Sequence, residues 1–225
     1  MKVIILAGGL GTRLKDIVND KPKVMADLNG VPFLYKLLNN LSNYNVTEFI
    51  ICVSYLKEKI INFFGNEFKG IPIKYSIEKK PLGTGGAIKQ ALKIFNIDKA
   101  IVVNGDTFVK IDYNSFYKKF KNTQITLLLI HKKNISRYGS VNVIGNLIVK
   151  FNEKQNSIKS GLINAGVYFI RKDIFNILGN KKVFSFEKDF LEKYVSILNI
   201  KYFITNDYFI DIGTKKSYFE AKKQL

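Results

Sequence analysis

The chain has 225 residues, of which 47% are apolar, so it can bury a sizeable core and its composition excludes a disordered protein. The formal net charge is +18, and almost all of the positive charge comes from lysine. These lysines are scattered, with no long basic run and no basic amphipathic helix, which disfavours a nucleic acid or a membrane as partner and leaves small anionic molecules as the expected ligands.

Apolar runs of strand length alternate with helical segments through the first half of the chain. The runs are short and continuous, which is typical of strands covered on both faces, and the segments between them place apolar residues at helical spacing. This alternation predicts a parallel sheet covered by helices. The predicted strands are 2–7, 48–54, 71–77 and 99–104, and the predicted helices are 31–43, 55–65 and 84–95.

The second half of the chain is richer in β-structure and has shorter helices. This change predicts a mixed sheet in which some strands are antiparallel. The sequence contains no linker, repeat or low-complexity segment, so we expect a single domain over residues 1–225, with halves at about 1–110 and 111–225. The β-rich segments are 124–131, 139–151, 162–170 and 200–210, and the helical ones are 112–121, 172–178, 185–194 and 214–224.

The N-terminus and the cysteine content favour a cytoplasmic protein. The apolar run at residues 2–7 is too short for the core of a signal peptide or for a membrane span. The one cysteine, Cys52, lies within the apolar run 49–53 and cannot form an internal disulfide, so we interpret it as a core residue.

A glycine-rich loop at residues 6–14 follows the first predicted strand directly. Glycines at this place let backbone N–H groups approach phosphate oxygens, and Arg13 can add its guanidinium to the same phosphates. A Walker loop requires Gly-Lys-Ser/Thr at its end, and a dinucleotide fingerprint requires a glycine where Leu14 stands, so neither motif is present. Lys23, beside Pro22, can supply a second cation. On the glycines alone, an ordinary strand–helix turn remains an alternative.

Two aspartates lie at the ends of predicted strands that are far apart in the sequence. Asp106 follows the strand at 99–104, and Asp211 follows the β-rich stretch at 200–210. Carboxylate oxygens are ligands that Mg²⁺ prefers, and strand ends can meet at one edge of a sheet. An aspartate at a strand end is also a common cap, so spacing alone leaves the pairing of these two residues open.

Three short motifs occur in order: Gly-Gly-Leu-Gly-Thr-Arg-Leu at 8–14, Pro-Lys-Val-Met at 22–25 and Gly-Val-Pro at 30–32. This series resembles the signature of the sugar-1-phosphate nucleotidyltransferases, and the resemblance extends from residue 3 to about residue 220. It implies the transfer of a nucleoside monophosphate from an NTP to a sugar 1-phosphate, with release of pyrophosphate. The implied fold is α/β and GT-A-like, of the nucleotide-diphospho-sugar transferase type: a Rossmann-like mixed, mostly parallel central sheet with helices on both faces.

The resemblance also implies a catalytic set. Asp106 and Asp211 match the metal-binding positions of the family and are expected to bind Mg²⁺, while Arg13 and Lys23 would hold the leaving phosphates. The attacking phosphate is already an anion, so positioning and charge neutralisation suffice without a general base. The single histidine, His131, is assigned no role, which disfavours covalent acyl chemistry.

The implied binding residues divide between the two halves of the chain. Glu78 precedes a second glycine-rich turn, Pro-Leu-Gly-Thr-Gly-Gly-Ala at 81–87, which is similar to the base and ribose segment of the family. On the sugar-phosphate side, a glutamate and an asparagine can bind sugar hydroxyls and a lysine can bind the phosphate; the residues are Gly139, Glu153, Lys154 and Asn164. The nucleotide-binding residues are Leu6, Ala7, Gly8, Gly9, Gly11, Thr12, Arg13, Lys23, Glu78, Gly83, Thr84 and Gly105.

Within the family, the turn Leu-Gly-Thr-Gly-Gly-Ala-Ile and the segment Phe-Ser-Phe-Glu-Lys-Asp at 184–189 resemble those of the D-glycero-D-manno-heptose 1-phosphate guanylyltransferases. That similarity implies GTP and a heptose 1-phosphate as substrates, for a bacterial surface polysaccharide such as capsule or lipopolysaccharide. Mannose-1-phosphate guanylyltransferases and N-acetylmuramate 1-phosphate uridylyltransferases stay open, because their turn differs at one residue. A non-catalytic nucleotide or sugar-phosphate sensor is disfavoured by the complete catalytic set. A homodimer is left open.

Overall fold

The first strand lies near the middle of a mixed sheet. The structure is a computed structural model that describes residues 1–9, 11, 14, 17–18, 20–153 and 160–225. The strands are β1 (Lys2–Leu6), β2 (Asp27–Leu28), β3 (Val31–Pro32), β4 (Glu48–Val53), β5 (Glu67–Phe68), β6 (Ile71–Ile77), β7 (Lys99–Asn104), β8 (Thr107–Val109), β9 (Ile125–Lys132), β10 (Ser140–Ile144), β11 (Leu147–Asn152), β12 (Gly161–Arg171), β13 (Lys201–Thr205) and β14 (Phe209–Asp211). The helices are α1 (Phe33–Leu41), α2 (Lys57–Phe64), α3 (Gly83–Ile94), α4 (Tyr113–Phe120), α5 (Glu192–Tyr194) and α6 (Lys215–Gln224), with 3₁₀ turns at Lys23–Met25 and Lys172–Leu178 and a π-helical turn at Phe186–Leu191.

Ten strands of the described chain form one sheet, in the order β10-β11-β13-β9-β12-β7-β1-β4-β6-β5. The first-half strands β6, β4, β1 and β7 run parallel, as predicted. The prediction of a mostly parallel sheet is wrong, because ten strands give nine neighbouring pairs and five of the pairs between these described strands are antiparallel. The second half contains the hairpin β10–β11, whose short turn can join only antiparallel strands, since parallel neighbours require a long crossover.

Both faces of the central strands are apolar, and both are covered. In β1, Val3 and Ile5 belong to an apolar cluster that includes Leu37 of α1 and Ile60 of α2. Ile4 points to the opposite face and belongs to a cluster with residues of α3. This arrangement confirms the prediction of helices on both faces, and it leaves the ends of the strands free to carry polar groups.

The long strand β12 carries a bulge that shapes one side of the site. Its register with β9 shifts between Asn164 and Tyr168, and Gly166 within the shift has φ +70°. A bulge of this kind bends the strand and changes the direction of nearby side chains. Asn164 and Gly166 consequently line a cavity at the sheet edge.

A two-stranded ribbon of β8 and β14 brings together two distant parts of the chain. Asp211 pairs with Thr107, and the amide of Ile212 donates a hydrogen bond to the carbonyl oxygen of Asp106 at 2.9 Å. Ile212 is fully buried in a third apolar cluster, which also contains Tyr218 of α6. The packing of the ribbon against α6 therefore fixes the backbone that carries both aspartates.

Several predicted elements have nearly the same bounds in the structure. The strands predicted at 71–77 and 99–104 are β6 and β7. The β-rich segment at 139–151 is the hairpin β10–β11, and the helix predicted at 185–194 begins as the π-helical turn and continues as α5. Within the described ranges, no helix combines the length and apolarity needed to cross a membrane.

Candidate active site

The loop after β1 forms one wall of a cavity of about 330 Å³, which we call the nucleotide cavity. Leu6, Gly8 and Gly9 line it, and the buried Cys52 lies at its inner side. A Cβ on Gly8 would lie 2.8 Å from Oε1 of Glu78, so a larger residue at this position would require the carboxylate to shift. Cys52 is fully buried, which confirms its interpretation as a core residue. Two predicted members of the loop, Thr12 and Arg13, lie outside the described residues.

Gly11 joins the loop to the segment that carries Lys23. Its φ of +61° is in the left-handed region, which residues other than glycine adopt only at a cost in conformational energy. A Cβ at this position would also lie 2.8 Å from Cβ of Lys23. The glycine-rich loop is therefore in direct contact with Lys23, which the sequence predicts to supply a second cation.

Lys23 and Asp106 form an ion pair at the edge of the nucleotide cavity. Nζ of Lys23 lies 2.5 Å from Oδ2 of Asp106; the lysine side chain is 12% exposed and the aspartate 36%. Burial opposes ionisation of Asp106, but the charge and hydrogen bond of Lys23 outweigh it and hold the pKa of this carboxyl below its ordinary value. Asp106 is therefore an ionised carboxylate that faces the cavity.

Asp211 is held by three donors. Its Oδ1 accepts hydrogen bonds from the guanidinium of Arg137 and from the amide of Gly213, the latter at 2.8 Å. Its Oδ2 accepts the hydroxyl of Tyr138 at 2.7 Å. Burial is the larger cause that raises the pKa of Tyr138, and the charge of Asp211 is the second. The phenol therefore stays protonated and donates. These contacts fix the carboxylate, which is 14% exposed.

Asp106 and Asp211 line the same cavity, of about 380 Å³, which we call the acceptor cavity. Mg²⁺ commonly takes one or two protein carboxylates and completes its shell with water and substrate phosphates. No group of three or more His, Cys, Asp or Glu that could hold a metal occurs in the part of the chain that the structure describes. Two carboxylates on one cavity are the number that Mg²⁺ takes where a phosphate-bearing ligand and water supply its other oxygens.

The two cavities adjoin each other. Thr84, Asn104 and Asp106 line both of them. Oδ1 of Asn104 is buried and has no hydrogen-bond partner among the described residues. Because three residues line both cavities, a ligand in one cavity can contact a ligand in the other beside the Asp106 carboxylate.

Glu78 is a buried acidic side chain on the wall of the nucleotide cavity. Burial raises the pKa of its carboxyl, and the amide of Leu82 partly offsets this by donating to Oε2 at 2.9 Å. Oε1 points towards Gly8. The cavity thus presents a strong hydrogen-bond acceptor between walls that include Leu6 and Ala87.

The second glycine-rich turn opens α3, as expected, and Gly83 and Thr84 line the nucleotide cavity. Two N–H groups of this turn are not available to a ligand. The amides of Gly85 and Gly86 donate to the carbonyl oxygen of Phe184, at 3.1 and 3.2 Å. These donors therefore attach the turn to a later segment of the chain.

The predicted sugar-phosphate residues meet in the acceptor cavity. Gly139, Glu153 and Asn164 line it. The backbone amide of Asn164 donates a hydrogen bond to the carbonyl oxygen of Gly139 at 2.9 Å. The side chain of Asn164 also donates to the hydroxyl of Tyr168 at 2.7 Å. The fourth predicted residue, Lys154, lies outside the described residues.

Besides Gly11, two predicted nucleotide-binding residues support the site without lining either cavity. Ala7 is buried, and its amide donates to the carbonyl oxygen of Cys52 at 2.9 Å. Gly105 donates to the carbonyl oxygen of Leu6, and a Cβ on Gly105 would lie 2.6 Å from that same oxygen. Ala7 thus fixes the end of β1 beside β4, and Gly105 fixes it beside the turn that carries Asp106.

Arg137, Tyr138, Glu187 and Asn104 are among the residues of the acceptor cavity that sequence reasoning missed. Arg137 and Tyr138 precede Gly139 in one motif, and their polar side chains were the available signal. Glu187 lies in the segment 184–189, which served only to distinguish groups within the family. Asn104 directly precedes the Gly-Asp pair. The structure shows that all four line the cavity.

Comparison with known proteins identifies the family. The nucleotidyl transferase family matches residues 2–225. This chain belongs to the nucleotidyl transferase family. As a member of that family it is a nucleotidyltransferase, and its two adjoining cavities have the arrangement that a two-substrate transfer requires.

Two similar relatives of this nucleotidyltransferase carry the same name. The D-glycero-alpha-D-manno-heptose 1-phosphate guanylyltransferase of Campylobacter jejuni subsp. jejuni serotype O:2 is 48% identical over 220 residues, which cover 97% of each chain. The protein of that name from Aneurinibacillus thermoaerophilus is 40% identical over 228 residues, which cover 100% of this chain and 98% of the relative.

A solved structure of similar sequence shares the fold. HddC from Yersinia pseudotuberculosis is 38% identical and matches with a TM-score of 0.88 over 99% of this chain and 98% of that chain. A second structure of HddC, complexed with GMP-PN, matches with a TM-score of 0.87 over the same shares. These matches support the GT-A-like nucleotide-sugar transferase fold that the sequence motifs imply.

Proposed function

We propose that this nucleotidyltransferase transfers GMP from GTP to D-glycero-α-D-manno-heptose 1-phosphate, giving the GDP-sugar and pyrophosphate. The observation that carries the proposal is the meeting of two cavities at Asp106, with Asp211 on the acceptor cavity. A nucleotide in one cavity and a sugar 1-phosphate in the other would bring their phosphates together beside these carboxylates. The names of the two relatives that are 48% and 40% identical support this choice of substrates.

The nucleotide cavity favours guanine through Glu78. Guanine presents two adjacent donors, N1–H and the 2-amino group, and a carboxylate accepts from such a pair. Uracil presents one N–H between two carbonyl oxygens, which a carboxylate repels, and cytosine and adenine present a ring-nitrogen acceptor at the corresponding edge. The buried Glu78, between the glycine-rich loop and Ala87, is therefore the residue that we assign to base selection.

The acceptor cavity provides groups for a polyhydroxylated sugar. Glu153 can accept hydrogen bonds from two hydroxyls, and Asn164 can contribute its amide to another. Lys154 keeps its predicted role on the sugar phosphate. Gly139 approaches the cavity without a side chain; a Cβ there would lie 2.8 Å from the ring of Phe151.

The transfer is a direct displacement at the α-phosphorus of GTP. The phosphate oxygen of the sugar attacks in line, the bond to the β-phosphate breaks, and pyrophosphate leaves with the electron pair. We assign Asp106 and Asp211 as the residues that hold Mg²⁺, which when bound neutralises phosphate charge. Lys23 and Arg13 stabilise the leaving pyrophosphate, and Lys23 reaches it by exchanging its contact with Asp106 for one with a phosphate.

The cellular setting of this proposal is taken from the sequence. We propose a cytoplasmic enzyme that makes an activated heptose for a surface polysaccharide. We also propose a single domain in which residues 1–110 bind the nucleotide and residues 111–225 bind the sugar phosphate.

A crossed substrate panel tests the proposed function. Pyrophosphate release is measured with Mg²⁺ for each of GTP, ATP, CTP, UTP and dTTP against heptose, mannose and N-acetylmuramate 1-phosphates, and the products are identified by mass. We expect the highest kcat/KM for GTP with D-glycero-α-D-manno-heptose 1-phosphate. A preference for mannose 1-phosphate or for UTP would replace these substrates with another pair, and no turnover with any pair would indicate a sensor.

A further inference from the structure

The segment that precedes the π-helical turn packs closely on the glycine-rich turn at 83–86. A Cβ on Gly83 would lie 2.5 Å from the carbonyl oxygen of Phe184, and one on Gly85 would lie 2.1 Å from the Phe184 ring. A Cβ on Gly86 would lie 2.3 Å from the carbonyl oxygen of Lys182. Residues 182–187 are therefore docked directly on a wall of the nucleotide cavity.

Glu187 connects this segment to both cavities. Its Oε2 accepts the hydroxyl of Thr84 at 2.7 Å and that of Ser185 at 3.2 Å, and its Oε1 accepts the hydroxyl of Tyr168 at 3.2 Å. Thr84 lines both cavities, and Glu187 lines the acceptor cavity. The Glu187 carboxylate thus links the glycine-rich turn at 83–86 to the lining of the acceptor cavity.

The donors around Glu187 are themselves oriented. The hydroxyl of Thr84 accepts the amide of Phe186 at 2.8 Å, so its proton is directed to Glu187. Burial, followed by the charge of Glu187, raises the pKa of Tyr168 well above its ordinary value, which keeps the phenol protonated and donating. Asn164 donates to that same phenol oxygen at 2.7 Å, so the network reaches a predicted sugar-binding residue.

Buried rings and local hydrogen bonds hold the backbone around Glu187. Phe186 and Phe190 are fully buried and their rings stack at 5.5 Å between centroids. The amide of Ser185 donates to the side chain of Asp189 at 2.9 Å, and its hydroxyl accepts the amide of Lys188 at 3.1 Å. π-helical turns are rare and frequently lie at functional sites. The π-helical turn at Phe186–Leu191 therefore holds Glu187 on a backbone that is packed against the core.

We propose that Glu187 is a positioning residue that couples the acceptor cavity to the nucleotide cavity, so that each substrate increases the affinity for the other. A sugar phosphate that binds to Asn164 acts on Tyr168 and, through Glu187, on Thr84 of the glycine-rich turn at 83–86, and so holds that turn in the geometry that binds GTP. By linkage, GTP increases the affinity for the sugar phosphate by the same factor. The proposal rests on the proposed function, because it takes the two cavities as the two substrate sites.

The coupling can be measured by calorimetry with an α,β-methylene analogue of GTP, which cannot release pyrophosphate. Its Kd is determined with Mg²⁺ in the absence and presence of saturating heptose 1-phosphate, and the ratio of the two values is the coupling factor. We expect about fivefold or more for the natural protein, in the usual range for allosteric coupling. We expect a fall below about twofold in Glu187→Gln, which loses the charge that orients three donors.

Two further variants separate coupling from simple structural damage. Glu192→Gln removes an exposed carboxylate from the adjoining helix α5 and should keep the natural coupling factor. Tyr168→Phe keeps the buried ring, removes one of the donors to Glu187 and should lower the coupling to an intermediate value, which gives a second test if Glu187→Gln does not fold.

The outcomes distinguish this proposal from the proposed function. If the natural protein binds both ligands and makes GDP-heptose with a coupling factor near one, or if Glu187→Gln and Tyr168→Phe keep the natural factor, the role of Glu187 is wrong and the function stands. If the natural protein makes no GDP-heptose in the substrate panel, the proposed function has failed independently of Glu187.

Discussion

The ammonium of Lys23 lies 2.5 Å from the carboxylate of Asp106, at the border between the nucleotide cavity and the acceptor cavity. The lysine is largely buried, whereas the carboxylate is more exposed and faces the cavity. Each partner in this pair has a second use when substrates bind: the cation can bind a leaving phosphate and the carboxylate can bind a metal ion. The pair therefore keeps both groups charged and close to the point of reaction.

Replacing Lys23 with methionine should lower kcat/KM for GTP by about 10²- to 10³-fold, a loss comparable with removal of one preorganised donor from an active site. Methionine keeps most of the side-chain volume and removes the charge that neutralises the leaving pyrophosphate. The measurement is steady-state pyrophosphate release at varied GTP. Lys21→Met is the matched control, because Lys21 is exposed and two residues away; equal losses in the two variants would contradict the role of Lys23.

Replacing Glu78 with glutamine should weaken GTP binding by about 10- to 100-fold, since hydrogen bonds to a charged group contribute about 1.5–3 kcal/mol. Glutamine exchanges one acceptor oxygen for a donor, so the preference for GTP over UTP should fall as well. Kd values for both nucleotides, measured by calorimetry, check this expectation. The exposed Glu67→Gln is the control. Unchanged base preference in Glu78→Gln would remove Glu78 from base selection.

The GTP affinity should also depend on pH through Glu78. Burial raises the pKa of this carboxyl, so on acidification from pH 7 it takes up a proton at a higher pH than an ordinary glutamate, whose pKa is about 4.3. The protonated acid loses acceptor capacity, and the Kd for GTP should rise as the pH falls from 7 towards the range in which an ordinary glutamate titrates. Titration of the GTP phosphates affects every variant equally. A natural protein and a Glu78→Gln variant with parallel pH profiles would contradict this dependence.

Gly11→Ala should reduce both stability and activity. The positive φ at Gly11 costs a non-glycine residue about 1–3 kcal/mol, and the new Cβ would press on Lys23. Gly65 is a matched control, because it has a similar φ of +62° and nothing within 4 Å of an added Cβ. Thermal unfolding should show a lower Tm for both variants, whereas kcat/KM should fall only in Gly11→Ala. Equal activity losses would mean that the contact with Lys23 does not matter.

The sequence predicted the placement of Asp106 and Asp211 at strand ends, but not the way in which they meet. The ribbon that joins them pairs β8 with β14, and each strand has only three residues. Three residues are too few to show a period, so the pairing depends on tertiary packing of the ribbon against α6. The motifs therefore indicated the two residues, and the packing explains their proximity.

Glu187 shows the limit of sequence reasoning more clearly. Its partners Thr84 and Tyr168 lie 103 and 19 residues away along the chain, and no local pattern connects them. The error in strand direction has a related cause. Alternation of strands and helices correctly predicted the parallel pairing of β6, β4, β1 and β7. The hairpin β10–β11 and the return of β12 beside β7 depend on contacts across the sheet.

The most direct test of the proposed site measures kcat for pyrophosphate release from GTP and heptose 1-phosphate in Asp106→Asn, Asp211→Asn and the double variant. If the two carboxylates hold one Mg²⁺, each single change should lower kcat by about a hundredfold or more with folding retained by circular dichroism, since the lost charge stabilisation amounts to several kcal/mol. The double variant should be little worse than the single ones, because groups that act as a unit are not additive. Near-natural turnover in either single variant, or losses that multiply in the double variant, would show that Asp106 and Asp211 do not share a metal ion.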